Sequence, residues 1–238
     1  MHRIFVCLFL SFLVISSPAA DEAWWATATA AYARGLAYEP GYTMVRIEEL
    51  DANGEVKATE TGEISTRRVE GKLVSTVIKA QKNGKDVTAD WQKRYDRSSS
   101  EGQGGPPAGF DATPFDPGWV SALSLGGSRR VSEGVLVPYA IKRDGVELEG
   151  SALFDANGVV LSASQSWLRL PPLVSAMSST IKYQLLEAAM PGDRDASGDR
   201  ALVAQSMEIE GEASILFIKK RFRMSFRFAQ WRPKPADS

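Results

Sequence analysis

The chain has 238 residues, of which 44% are apolar and 24% charged, with a net charge of −1. That length suits one large β domain, the composition supports a real core, and the charge gives no global pull toward nucleic acid or anionic lipid. The only histidine, His2, and the only cysteine, Cys7, both lie in the first ten residues.

Residues 1–20 read as a secretory signal peptide. His2 and Arg3 precede the apolar run Ile4 to Ile15, and Ser16, Ser17, Pro18, Ala19 and Ala20 form a small-residue exit. Cleavage after Ala19 or after Ala20 fits. The alternative, an uncleaved anchor, needs a run able to span about 30 Å, and this one is too short. Cys7 lies inside the run rather than at its end, which excludes lipidation. The expected location is the periplasm, and no other segment is apolar enough to cross a bilayer. Cleavage removes Arg3 and leaves 27 basic against 29 acidic residues, a net charge of −2. It also removes the thiol and the imidazole. Disulfides, thiol nucleophiles, Ser-His-Asp triads and His or Cys metal sites are thereby excluded from the mature chain. No cofactor is expected.

Asp21 to Leu36 is alanine-rich and predicts a helix, with Trp25, Thr29, Tyr32 and Leu36 on one face. Trp24 and Trp25 are packing anchors in the simpler reading, ligand contacts in the other. Three strands follow: Gly41 to Leu50, Val56 to Val69 and Leu73 to Ala80. Turns at Asp51-Ala52-Asn53-Gly54, Glu70-Gly71 and Asn83-Gly84 punctuate them. Asp86 to Arg97 fits a short helix through Trp91 and Tyr95 or a fourth strand. Ser98 to Gly109 is rich in Ser, Gly and Pro and reads as a loop, with a lid as the alternative.

Pro117 opens a short helix toward Leu123. Strands then resume over Val131 to Lys142, Val146 to Phe154 and Val159 to Leu168, the last two joined by a second Asp-Ala-Asn-Gly at Asp155 to Gly158. Val146, Leu148, Ala152 and Phe154 share a face, as do Val159, Leu161, Ala163 and Trp167, and these faces should look into a concave side. Leu173, Val174 and Met177 suggest a helical turn or two. Ser179 to Leu186 and Leu202 to Ile209 are strands, and Glu210-Gly211 is the expected turn of the last hairpin.

Ile215 to Trp231 is the longest strand candidate. Leu216, Ile218, Phe222, Met224, Phe226 and Phe228 alternate with Lys219, Arg221, Arg223, Ser225 and Arg227. A strand of this length must bend, bulge or split, and Lys219 to Arg221 is the expected place because Lys220 breaks the apolar register. Residues 232–238 form a frayed tail. The sum is a mainly β (α+β) domain over residues 21–231, a curved, unclosed antiparallel half-barrel of about nine to eleven strands with a few helices over its open side.

The hairpin from Gly150 to Met177, GSALFDANGVVLSASQSWLRLPPLVSAM, and the last one from Ser206 to Trp231, SMEIEGEASILFIKKRFRMSFRFAQW, follow an N-terminal helix and a meander. This arrangement resembles the lipoprotein-localisation-factor (LolA/LolB-like) superfamily, periplasmic carriers of outer-membrane lipoproteins and their relatives. The resemblance spans most of residues 21–231. It implies an unclosed curved sheet, helices closing its open side, and an apolar cavity that takes acyl chains. It carries over no individual functional residue.

The residues agree with a carrier on their own terms. Phe222, Met224, Phe226 and Phe228, with Trp167 and Leu148, are the candidate cavity lining, Met being able to fit variable shapes. The alternative is that they fill a closed core. The stripe Lys219, Lys220, Arg221, Arg223 and Arg227 would meet lipid phosphate or an acidic partner, or simply solvate an outer face. Glu147 and Glu149 point the same way, as a carboxylate pair or as solvent-facing charges. Asp193, Asp195 and Asp199 lack a full calcium-loop pattern. The expected function is non-catalytic binding of a lipid, lipoprotein acyl chain or other apolar ligand, as in outer-membrane lipoprotein sorting. The alternative is an envelope sensor or scaffold that binds a protein partner.

Overall fold

The computed structural model describes residues 18–70, 72–100, 113–143, 145–170, 172–187, 200–215 and 218–234. Most of the expected signal peptide, residues 101–112 of the expected loop, the aspartates at 193, 195 and 199 and the end of the chain lie outside them.

The order is α1 (Pro18–Gly35), β1 (Tyr38–Leu50), β2 (Val56–Val69), β3 (Lys72–Lys82), β4 (Lys85–Asp86) and α2 (Thr88–Ser100). A 3₁₀ turn (Pro117–Ala122) leads to β5 (Leu123–Leu125), β6 (Arg129–Val131), β7 (Gly134–Arg143), β8 (Val146–Phe154) and β9 (Val160–Trp167). Then come β10 (Val174–Leu186), β11 (Ala201–Ile215) and β12 (Ile218–Pro233). All strands join one 12-stranded antiparallel sheet, β4-β3-β2-β1-β12-β11-β10-β9-β8-β7-β5, with β6 also on β7. The sheet is open at both ends. The excess over the expected strand count comes from β4, β5 and β6, two or three residues each and too short to show a period.

Turn chemistry works as the sequence predicts. In both Asp-Ala-Asn-Gly segments the first aspartate carboxylate accepts two backbone N–H bonds, from Asn53 and Glu55 and from Asn157 and Val159, at 2.8 and 2.9 Å in each case. Gly54 and Gly158 take the positive φ the turns require, +85° and +78°.

The inner face of the sheet carries the core in three patches. Under α1, Trp25, Ala28 and Ala31 bury against Phe115, Val137, Tyr139, Leu148, Phe154 and Leu202. Trp25 meets Phe115 and Tyr139 at centroid distances of 4.8 and 5.2 Å. Fully burying each such large apolar side chain is worth about 1.5–3 kcal/mol. Under α2, Trp91 closes a second patch with Val45, Ile64, Val77 and Ala80. Trp91 can lie flat on the sheet because residue 62 is glycine: a Cβ there would sit 2.1 Å from the indole. The third patch is Trp167, Met177 and Ile209.

Of the two readings of Asp86 to Arg97, the helix is the one formed. There the Thr88 hydroxyl accepts from the Ala80 N–H of β3. Five other expectations need correction. Residues 174–177 begin strand β10, because Met177 continues the inward alternation of Ser179, Ile181 and Tyr183. Leu161 points outward. A register shift between Leu153 and Phe154 pairs Phe154 with Val160, so Val160 takes the buried place. Leu36 lies beyond the end of α1 and is exposed. The last hairpin does not turn at Glu210-Gly211: β11 runs on to Ile215, and Gly211 pairs with Phe222, whose ring fills the space its missing Cβ leaves. Nor does β12 break at Lys219 to Arg221, where pairing with β11 is regular. The irregularity falls at Gln230, φ +55°.

Candidate functional site

β12 lies at the centre of the sheet, between β1 and β11. α1 packs on β11 and α2 on β3, so the inner face of β12 runs between the two helices. Period two places Phe222, Met224, Phe226 and Phe228 on that inner face, and all four are half-buried. In register they lie beside Ile47 and Val45 of β1 on one side and Ile209 and Met207 of β11 on the other. The Phe226 and Phe228 rings are parallel at 6.3 Å, and Trp231 follows at 6.1 Å from Phe228. Phe222, Met224 and Phe226 pack against Trp167, Met177 and Ile209, while Phe226 also touches the patch under α2. We term this half-buried, aromatic and methionine-rich strip between two helix-covered cores the trough.

The six sequence candidates therefore divide. Phe222, Met224, Phe226 and Phe228 are the trough floor, and Trp167 is its buried wall. Leu148 pairs with Trp167 across strands but is only 1% exposed and belongs to the closed core under α1. Sequence reading missed Ile47, Met207 and Ile209 as trough neighbours, although each alternates inward on its strand. The missing signal was which strand neighbours which: β1 and β12 are nearly 200 residues apart in the chain and sit side by side.

Along the wall the inner row Ile209, Ser179, Gln165, Gly150 and Tyr139 crosses four strand pairs. It is the polar band of an otherwise apolar face. The Tyr139 hydroxyl donates to Gln165 Oε1 at 2.9 Å, and burial pushes its pKa well above the ordinary tyrosine value, so it stays a neutral donor. Tyr183, buried by the same core, is pushed up likewise and shares a 2.7 Å hydrogen bond with the Thr113 hydroxyl.

The outer face of the same strands is an ion-pair lattice. Arg223 Nε donates to Glu210 Oε1 at 2.6 Å and its Nη1 to Glu48 Oε2 at 3.3 Å. Glu210 beside it raises the Arg223 pKa further. Lys219 and Arg221 both reach Glu212, whose carboxyl the Lys219 hydrogen bond holds below the ordinary range. Lys220, on the inner side by the same period, pairs with Glu49, which lies opposite Phe222. Four of the five cations of the basic stripe thus have acidic neighbours within the sheet. Glu147 pairs with Lys142 across a hairpin, and Glu149 faces outward as well. Among the described residues, no group of three or more His, Cys, Asp or Glu side chains could hold a metal ion, and no helix is long and apolar enough to cross a membrane.

No protein-family model and no curated protein matches the sequence. Among solved structures, the complex of MucA and MucB from Pseudomonas aeruginosa is similar at 13% identity, covering 91% of this chain and 100% of that one, with a TM-score of 0.23. MucB in complex with MucA(peri) gives the same identity and coverage with a TM-score of 0.21. Superpositions this loose supply no residue correspondence.

Proposed function

We propose that this chain is an exported, periplasmic, non-catalytic binding protein whose trough takes an apolar ligand, a lipid or the acyl chain of a lipoprotein. Outer-membrane lipoprotein sorting is a task of that class. One observation carries the reading: four large apolar side chains of a central strand, Phe222, Met224, Phe226 and Phe228, stay half-buried between two helix-covered cores. Each 100 Å² of apolar surface that a ligand covers there contributes about 2.5 kcal/mol before the costs of ordering are met. Residues 21–238, expressed in a bacterial periplasm, should release a bound lipid or acylated peptide when native mass spectrometry is followed by lipid extraction. Met224→Glu should cut that occupancy at least tenfold, because it sets a charge on the trough floor. A clean unliganded mass that also fails to take up a fluorescent fatty acid would overturn the proposal.

A second reading, a sensor or scaffold that binds a protein partner, draws on a different surface. Leu73 and Ile78 of β3 are each more than half exposed, with Val69 and Val74 nearby. Exposed apolar groups along a strand near the sheet edge suit protein contact. MucB is solved with MucA in both similar structures, but at those TM-scores this is no ground for a partner here. Recovery of one stoichiometric partner, lost in Leu73→Asp and without bound lipid, would favour this reading.

A further inference from the structure

Four buried side-chain polar atoms have no hydrogen-bond partner among the described residues: Asp21 Oδ1, Trp25 Nε1, Ser179 Oγ and Trp231 Nε1. Asp21 and Trp25 belong to α1, and Trp231 lies toward the end of β12. Ser179 lies two strands from the trough floor, beside a cleft lined by Tyr139, Gly150, Gln165 and Thr180. It is 4% exposed, pairs in register with Ile209 of β11 on one side and Gln165 of β9 on the other, and follows Met177 on the same inner face. Ile209 in turn pairs with Met224 of the trough floor. Strands lie about 4.8 Å apart, so the Ser179 backbone is about 10 Å across the sheet from that of Met224, a distance that some eight carbons of an acyl chain would cover.

A buried hydroxyl without a partner is costly and uncommon, and alanine would fill a plain core position at less cost. Neither neighbour in register meets it: Ile209 has no polar side-chain atom, and Gln165 turns its Oε1 to the Tyr139 hydroxyl. What the position offers is one buried O–H donor two strands from an apolar trough. That matches a ligand that is hydrocarbon along most of its length and carries a carbonyl at one point. Resting on the acyl-ligand proposal above, we infer that Ser179 donates a hydrogen bond to the ester or amide carbonyl oxygen that joins an acyl chain to its headgroup. The trough then distinguishes acylated molecules from plain hydrocarbon.

The test uses three probes of matched chain length: methyl palmitate, N-methylpalmitamide and octadecane, each displacing a fluorescent fatty acid from the mature protein. Wild type should bind the ester and the amide about five- to tenfold more tightly than the alkane. Ser179→Ala should lose that preference and leave alkane affinity unchanged, while its thermal midpoint stays equal or rises because an unpaired buried hydroxyl has gone. A ¹³C-labelled ester carbonyl should absorb at lower infrared frequency in wild type than in Ser179→Ala. If the variant weakens all three probes equally, or none, Ser179 is structural and the inference is overturned with the carrier reading intact. If wild type binds none of the three, both fail together.

Discussion

Glu48 is only 5% exposed, yet two guanidinium groups reach its carboxylate, Arg46 at 2.7 Å and Arg223 at 3.3 Å. Removing one partner of a fully buried pair costs about 3–5 kcal/mol. Arg223 is partly in water and Arg46 remains, so Arg223→Ala should cost less, roughly 1–3 kcal/mol in urea unfolding. Arg227 takes no part in that lattice among the described residues, and Arg227→Ala should change stability by less than about 0.5 kcal/mol. Acid should weaken the molecule through its paired carboxyls. Glu60 accepts from Lys82 and from the Trp91 indole, and these hold its carboxyl below its ordinary value of 4.5. The stability it contributes is complete above that ordinary value and is lost as pH falls through the lower, folded one. Urea midpoints measured from pH 6 to pH 3 should fall less steeply for Glu60→Gln than for wild type.

The helix α2 shows how one element can serve two others. Its Trp91 closes the core over Gly62, and Gly62→Ala should cost about 1–3 kcal/mol by pushing the indole off the sheet. Its Gln92 accepts from the Val77 N–H at 2.7 Å and donates to the Ser75 carbonyl at 3.2 Å, so helix side chains occupy the outer edge of β3 where a further strand would pair. Gln92→Ala should cost about 1 kcal/mol and should raise the oligomeric fraction seen by light scattering, since an uncovered edge invites pairing. Legibility in the sequence followed the range of the physics. The turns at Asp51 and Asp155 and the alternation of Phe222 to Phe228 are local, and they were readable. The outward turn of Leu161 depends on a bulge set by a neighbouring strand. The role of Gly211 depends on Phe222 arriving beside it. The trough itself requires β1 to meet β12, which no local pattern states, so its floor could be read and most of its walls could not.

As a whole, the molecule is a continuous sheet held at its two flanks by helices, with the trough along its middle. A ligand that binds only the folded form at 100 times its dissociation constant should raise unfolding free energy by about 2.7 kcal/mol, visible as a concentration-dependent midpoint. That shift should vanish in Met224→Glu. The seam between β1 and β12 runs from Tyr38 opposite Pro233 to Leu50 opposite Arg221, and Lys234 N–H closes it on the Ala37 carbonyl at 2.7 Å. The first long strand and the last one are thus partners at the centre. During synthesis the ribosome delivers β1 to β10 before the piece that joins them exists. No nascent form of the chain can hold the trough, and β1 must wait with its pairing edge open until β12 emerges. A chain stalled before β11 should therefore be recovered bound to chaperone, and the release of full-length protein should coincide with the first appearance of a trough.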